Sequence, residues 1–182
     1  MTVYFIADTH FDHGNIIRYC HRPFSSVTDM NDQLRRNWNS TVGKSDTVFF
    51  LGDMSFGRNS RKADYWSRQL NGEKIFIFGG HDSGIPRGMP HFPHTHRSFG
   101  GHWFYLLHDP SQRAKDWQGW VIHGHKHNNS MQNFPFINGV HKTINVSVEV
   151  INYTPVSLRY LLSLDLDSIK RMRTIDSQPE KW

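Results

Sequence analysis

The chain has 182 residues, a formal net charge of +5, 37% apolar and 14% aromatic residues, and one cysteine, Cys20. That composition excludes disordered and collagen-like chains, and the length can bury a core without disulfide or metal staples. The apolar runs, such as Val3–Ala7 and Val48–Leu51, fall far short of the roughly 20 residues that span a bilayer, so no membrane partner is expected.

Taken in chain order, apolar runs alternate with helical patterns, which predicts a layered α/β domain over residues 1–182. Val3–Ala7 reads as a buried strand and Gly14–Cys20 as a short helix before Arg22-Pro23. Met30, Leu34, Trp38 and Val42 recur every four residues, an amphipathic helix with Thr28 as its N-cap. Thr47–Leu51 is a second strand, Arg61–Leu70 a helix, and Lys74–Phe78 a third strand. Residues 83–101, rich in proline and glycine with little periodicity, read as a long surface loop. Trp103–Leu107, Trp120–Ile122 and Thr143–Val150 follow as strands, Pro155–Leu164 as helical or mixed, and the tail from Ser168 as a strand or frayed end. With no basic, apolar leader and no cysteine to pair with Cys20, the expected compartment is the cytoplasm.

The histidines carry more information than the charge. Thirteen are present, nine of them between His81 and His127, and imidazole is both the commonest metal ligand and a proton carrier near neutral pH. Polar, metal-capable residues fall at the end of each predicted strand. The first ends in Asp8-Thr9-His10, the second in Gly52-Asp53, and the third in Gly79-Gly80-His81-Asp82. The fourth ends in His108-Asp109 and the fifth in His123-Gly124-His125-Lys126-His127. On extended chain, residues i and i+2 point the same way, so Asp8 with His10, and His125 with His127, are expected to converge. Sites outside the carboxyl ends of strands are where open α/β sheets bind ligands.

This order resembles the calcineurin-like metallophosphoesterases, small microbial or phage type. Their pattern is Asp-x-His, Gly-Asp, Gly-Asn-His-Asp/Glu, a single His, and Gly-His-x-His. The opening Asp8–Ile17 and the stretches Asn145–Glu149 and Tyr153–Ser157 are similar to the same group. The resemblance implies an α/β fold, a two-sheet β-sandwich flanked by helices. It implies one metal held by Asp8, His10 and His127, a second by His108 and His125, and Asp53 bridging them. Carboxylates with imidazoles suit Mn²⁺, Fe, Zn²⁺ or Ni²⁺, and the sequence does not choose among them; two divalent ions, Mn²⁺ in the first place, are the expected cofactors. The activity implied is hydrolysis of a phosphate ester by a hydroxide held between the metals. His81 resembles the histidine that contacts the phosphate and protonates the leaving oxygen, with Asp82 orienting its ring.

One position departs from the pattern: Gly80 stands where the family has a metal-binding asparagine. Asn15, Asn128 and Asn129 are alternative amides. His13, Arg18, Arg22 and Arg58 are candidates for contacting the substrate phosphate. The basic charge and the lack of a monoester-type cap favour a phosphodiester, with a nucleotide or nucleic acid as possible substrate. A phosphomonoesterase or nucleotide pyrophosphatase is the alternative within the class. Outside it stand a non-catalytic scaffold relative and a nucleic-acid-binding protein, the latter marked by steep salt dependence without turnover.

Overall fold

The computed structural model describes residues 1–85 and 87–175. Two sheets face each other. The first is built from β1 (Val3–Ile6), β2 (Thr47–Phe50), β3 (Glu73–Ile77), β4 (His91–Phe92) and β10 (Val156–Ser157), in the order β10-β1-β2-β3-β4. Its β1 to β4 run parallel, and β10 closes the edge antiparallel to β1. The second contains β5 (His94–Phe99), β6 (His102–Leu107), β7 (Trp120–His123), β8 (Ile137–Asn138), β9 (Thr143–Asn145) and β11 (Met172–Arg173), in the order β11-β8-β9-β7-β6-β5. Here β6, β7 and β9 are parallel.

Strand periodicity sorts the side chains. Phe49 turns inward, stacking on Phe5 at 5.7 Å and meeting Phe99 of the second sheet at 6.4 Å. Its neighbour Phe50 turns the other way, to Trp38 at 6.2 Å on α2 (Val27–Thr41). Met30, Leu34 and Trp38 line the buried face of that helix, as their four-residue spacing predicts. The helices α1 (Gly14–Tyr19), α3 (Ala63–Gln69) and α4 (Leu158–Ser163) complete the layers. On the outer face of the second sheet, Tyr105, Leu107 and Val121 pack against Trp117 of the 109–119 segment.

The sheets are joined at one end. Ala7 bridges Ser147 in parallel fashion; the Ala7 N–H donates to Val146 O and the Val148 N–H to Ala7 O. Val146 in turn donates to His123 O, so the ends of β1, β7 and β9 meet.

Several expectations change. Residues 83–101 are not one loop, because β4 and β5 lie within them. The alternating exposure of β5 is that of a polar strand on the edge of a sheet. Gly100 and Gly101, with φ of +55° and +83°, form the two-residue connection from β5 to β6 that a right-handed hairpin twist favours. The N-cap of α2 is Ser26, whose hydroxyl accepts from the Asp29 N–H, rather than Thr28. The run 143–150 pairs as a strand only to Asn145, then leaves β9 for the bridge to Ala7. Of the tail, residues 176–182 lie outside the described residues. No described helix is long and apolar enough to cross a membrane.

Candidate metal centre

The residues predicted to bind metal lie where the two sheets join. Asp8, His10 and His127 offer ligand atoms within 4.8 Å of one another, and so do Asp8, Asp53 and His108. One oxygen of Asp53, Oδ2, lies 3.5 Å from His10 Nε2 and 3.4 Å from His108 Nε2. It therefore stands between the two groups, as a bridging ligand would. His125 differs. Its ring is 5.0 Å from that of His108, but its Nε2 faces Asp109 at 3.6 Å, and the side chain is half-exposed. The structure gathers five of the six expected ligands and leaves His125 at the rim.

The convergence does not come from extended chain. Asp8, His10, Asp53, His125 and His127 all have φ between +47° and +69°, a left-handed region that side-chain-bearing residues rarely enter. The strands end before these residues, and the reversed backbone accompanies the turn of Asp8, His10, Asp53 and His127 towards the centre, with His125 left at its rim. Close approach explains the glycines beside them. A Cβ on Gly124 would come within 2.6 Å of Asp8 Oδ2, and one on Gly79 would run into the Asp53 carboxylate.

Local hydrogen bonds hold the frame. The His125 N–H donates to Asp8 Oδ2 at 2.9 Å and the His81 N–H to Asp53 Oδ1 at 2.9 Å. His108 Nδ1 bonds Leu51 O at 2.8 Å, which leaves its Nε2 facing Asp53. His127 Nδ1 meets both oxygens of Glu149, at 3.0 and 3.1 Å. Glu149 is clamped by Arg22, which also donates to Asp8 O and Thr9 O, both at 2.8 Å.

Two expected roles are corrected here. The Asp82 carboxylate does not orient the His81 ring: its oxygens accept the backbone N–H groups of Asp53, Met54 and Gly79, tying the ends of β2 and β3 together. Arg22 is buried among the bonds just described and does not present its guanidinium to a phosphate. His81 is exposed, with its ring 5.9 Å from that of His10. His13 adjoins the cluster at 5.4 Å from His10. Gly80 is exposed and has open space where a side chain would stand. Asn128 does not replace the missing amide, since it donates to Cys20 O. The supporting role of the Arg22–Glu149 pair is not legible in the sequence; the only signal is Glu149 closing the Asn145–Glu149 stretch.

The electrostatics follow from packing opposite charges out of water. Burial raises the Asp8 carboxyl. Burial would also raise Asp53, but the close His108 ring outweighs it and holds that carboxyl below its ordinary range. Burial opposes protonation of His108, yet the facing Asp53 carboxylate and the Asp8 charge lift it to about 9. His127, likewise opposed by burial, is lifted to about 11 chiefly by Asp8. Burial and the neighbouring His127 push His10 down to about 2.

The donor set fits divalent cations. Asp8 Oδ1, both ring nitrogens of His10 and His108 Nε2 are buried and have no hydrogen-bond partner. Buried polar atoms are normally satisfied; of the eight unpaired ones among the described residues, these four sit together on one carboxylate and two imidazoles beside Asp53, the ligand types of first-row transition metals.

Fold and site together define a two-sheet α/β protein with a polar centre at the joined strand ends. No protein-family model matches the chain. It is 46% identical over 178 residues to the uncharacterized protein MJ1445 of Methanocaldococcus jannaschii, covering 96% of each chain. The chain belongs to the family of that archaeal protein. Among solved structures, the protein of unknown function AQ665 from Aquifex aeolicus shares the fold, with TM-score 0.68 and 23% identity over 90% of this chain and 98% of that one. Vps29 from Entamoeba histolytica is a looser likeness, with TM-score 0.42 and 19% identity over 82% and 76% of the two chains.

Proposed function

We propose that the protein is a metal-dependent phosphoesterase that cleaves a phosphodiester. The observation that carries this reading is the set of orphaned ligand atoms on Asp8, His10 and His108 around a carboxylate, Asp53, that faces two imidazoles. Asp8, His10 and His127 would hold one cation, His108 and His125 a second, and Asp53 both. When bound, such a pair lowers the pKa of water near neutral pH and offsets charge on the phosphoryl oxygens.

The chain's own residues divide the remaining work. Glu149 accepts the Nδ1 proton of His127 and so keeps Nε2 available as a ligand atom. Asp82 fixes the backbone from which His81 projects. The exposed His81 ring stands beside the cluster and donates a proton to the leaving oxygen of the ester. No serine, cysteine or threonine is needed as nucleophile.

The test is hydrolysis of bis(p-nitrophenyl) phosphate with Mn²⁺, alongside p-nitrophenyl phosphate. Turnover of the diester that disappears with chelator is expected, and Asp53→Asn should reduce it by at least about 100-fold, as expected for a residue at the centre of the site. Preferred cleavage of the monoester would reassign the substrate, and equal turnover with and without chelator would overturn the metal-dependent reading.

A further inference from the structure

We infer that Phe56 forms the leaving-group side of this site and selects phosphate esters that carry a planar ring, nucleotides in the first place. The inference rests on the phosphoesterase reading above and adds a substrate class to it.

Phe56 is the apolar wall of an otherwise polar cluster. Its ring centroid lies 4.2 Å from His81, 4.7 Å from His13 and 6.4 Å from His10. Yet 37% of the residue remains exposed. The backbone explains this orientation. Phe11 bridges Ser55, and the Phe56 N–H donates to Phe11 O, so Ser55 turns inward and Phe56 outward. The inward aromatic position is filled by Phe11, stacked on Trp66 at 4.2 Å. The core therefore does not need Phe56, and a large ring is left open to solvent beside the histidine proposed to protonate the leaving group. Tyr19, 57% exposed and 6.3 Å from His13, extends the same side. Bases stack on such rings with little regard to sequence, for roughly five- to 150-fold in affinity per base.

Calorimetric titration of the Mn²⁺-loaded protein with AMP and with ribose 5-phosphate separates ring from phosphate. AMP is expected to bind about tenfold tighter. Phe56→Ala should remove that difference and leave ribose 5-phosphate unchanged, while Phe56→Trp keeps it. Three results would overturn the inference: equal affinity for both ligands in the wild type, binding of neither, or a Phe56→Ala loss shared by both. The shared loss would make Phe56 a prop for His81 and His13. A prior Mn²⁺ titration keeps the two readings apart: absent Mn²⁺ binding removes the metal-dependent reading and this inference with it, whereas Mn²⁺ binding without AMP preference removes only the role of Phe56.

Discussion

Arg22 and Glu149 lie 2.6 Å apart with side chains almost wholly withdrawn from water. Burial alone would raise the Glu149 carboxyl, but Arg22 and His127 outweigh it and lower the group from 4.5 to about 2. A carboxyl depressed in the folded state stabilises it above its unfolded pKa, and that contribution is lost as pH falls from about 4.5 towards 2. Acid unfolding of metal-free protein, followed by circular dichroism, should be steeper in this window for the wild type than for Glu149→Gln. The variant should already be less stable at pH 7, because Arg22 is left buried with a neutral partner. Equal acid profiles would show that the pair contributes no pH-dependent stability. Gly80 offers a second test. The space beside it is open, so Gly80→Asn should change stability by no more than about 0.5 kcal/mol. If the proposed second cation lacks only an amide ligand at this position, Mn²⁺ affinity measured by titration should rise in Gly80→Asn, and an unchanged affinity would show that position 80 does not limit binding.

Helix α2 depends on a cap that its apolar spacing does not reveal. The Met30, Leu34 and Trp38 stripe sets which face is buried, but the start is fixed by the Ser26 hydroxyl accepting the Asp29 N–H at 3.1 Å. Ser26→Ala should therefore cost about 1 kcal/mol in chemical denaturation, and Thr28→Ala much less. The reverse order would restore Thr28 as the cap. The edge strand β5 carries the same lesson. His94-Thr95-His96-Arg97 lacks apolar alternation because its partly buried positions, Thr95 and Arg97, are polar like the exposed ones, so hydrophobic patterning could not reveal it. The Gly100-Gly101 pair was the available signal, a hairpin dipeptide between two strand-like segments.

Five chain segments, drawn from both sheets, contribute to the centre. A cation bound by Asp8, Asp53 and His108 would tie β1 and β2 of one sheet to the segment after β6 of the other. Binding to the folded state alone stabilises by mass action, about 2.7 kcal/mol at 100 times Kd. Mn²⁺ should accordingly raise the Tm of the wild type, with Asp53→Asn losing most of the shift. An unchanged Tm at saturating Mn²⁺ would mean that the cluster holds no metal in the folded protein.

The alternation of strands and helices, and the order of Asp8, His10, Asp53, His81, His108, His125 and His127, could be read from the sequence. Both are local patterns: periodicity reports which face an element buries, and motif spacing reports which residues sit at the end of each strand. The means of convergence could not be read this way. Left-handed backbone at Asp8, His10, Asp53 and His127 accompanies the gathering of these side chains at one centre, with His125 at its rim, where extended strands were expected. The partners of buried polar groups lay further out of reach. Asp82 serves the backbone of Asp53, Met54 and Gly79, and Glu149 serves His127 through a pair with Arg22, 127 residues away in the chain. Such pairings are chosen when water is excluded and every buried donor and acceptor must find a neighbour, and that selection happens only as the two sheets close on each other.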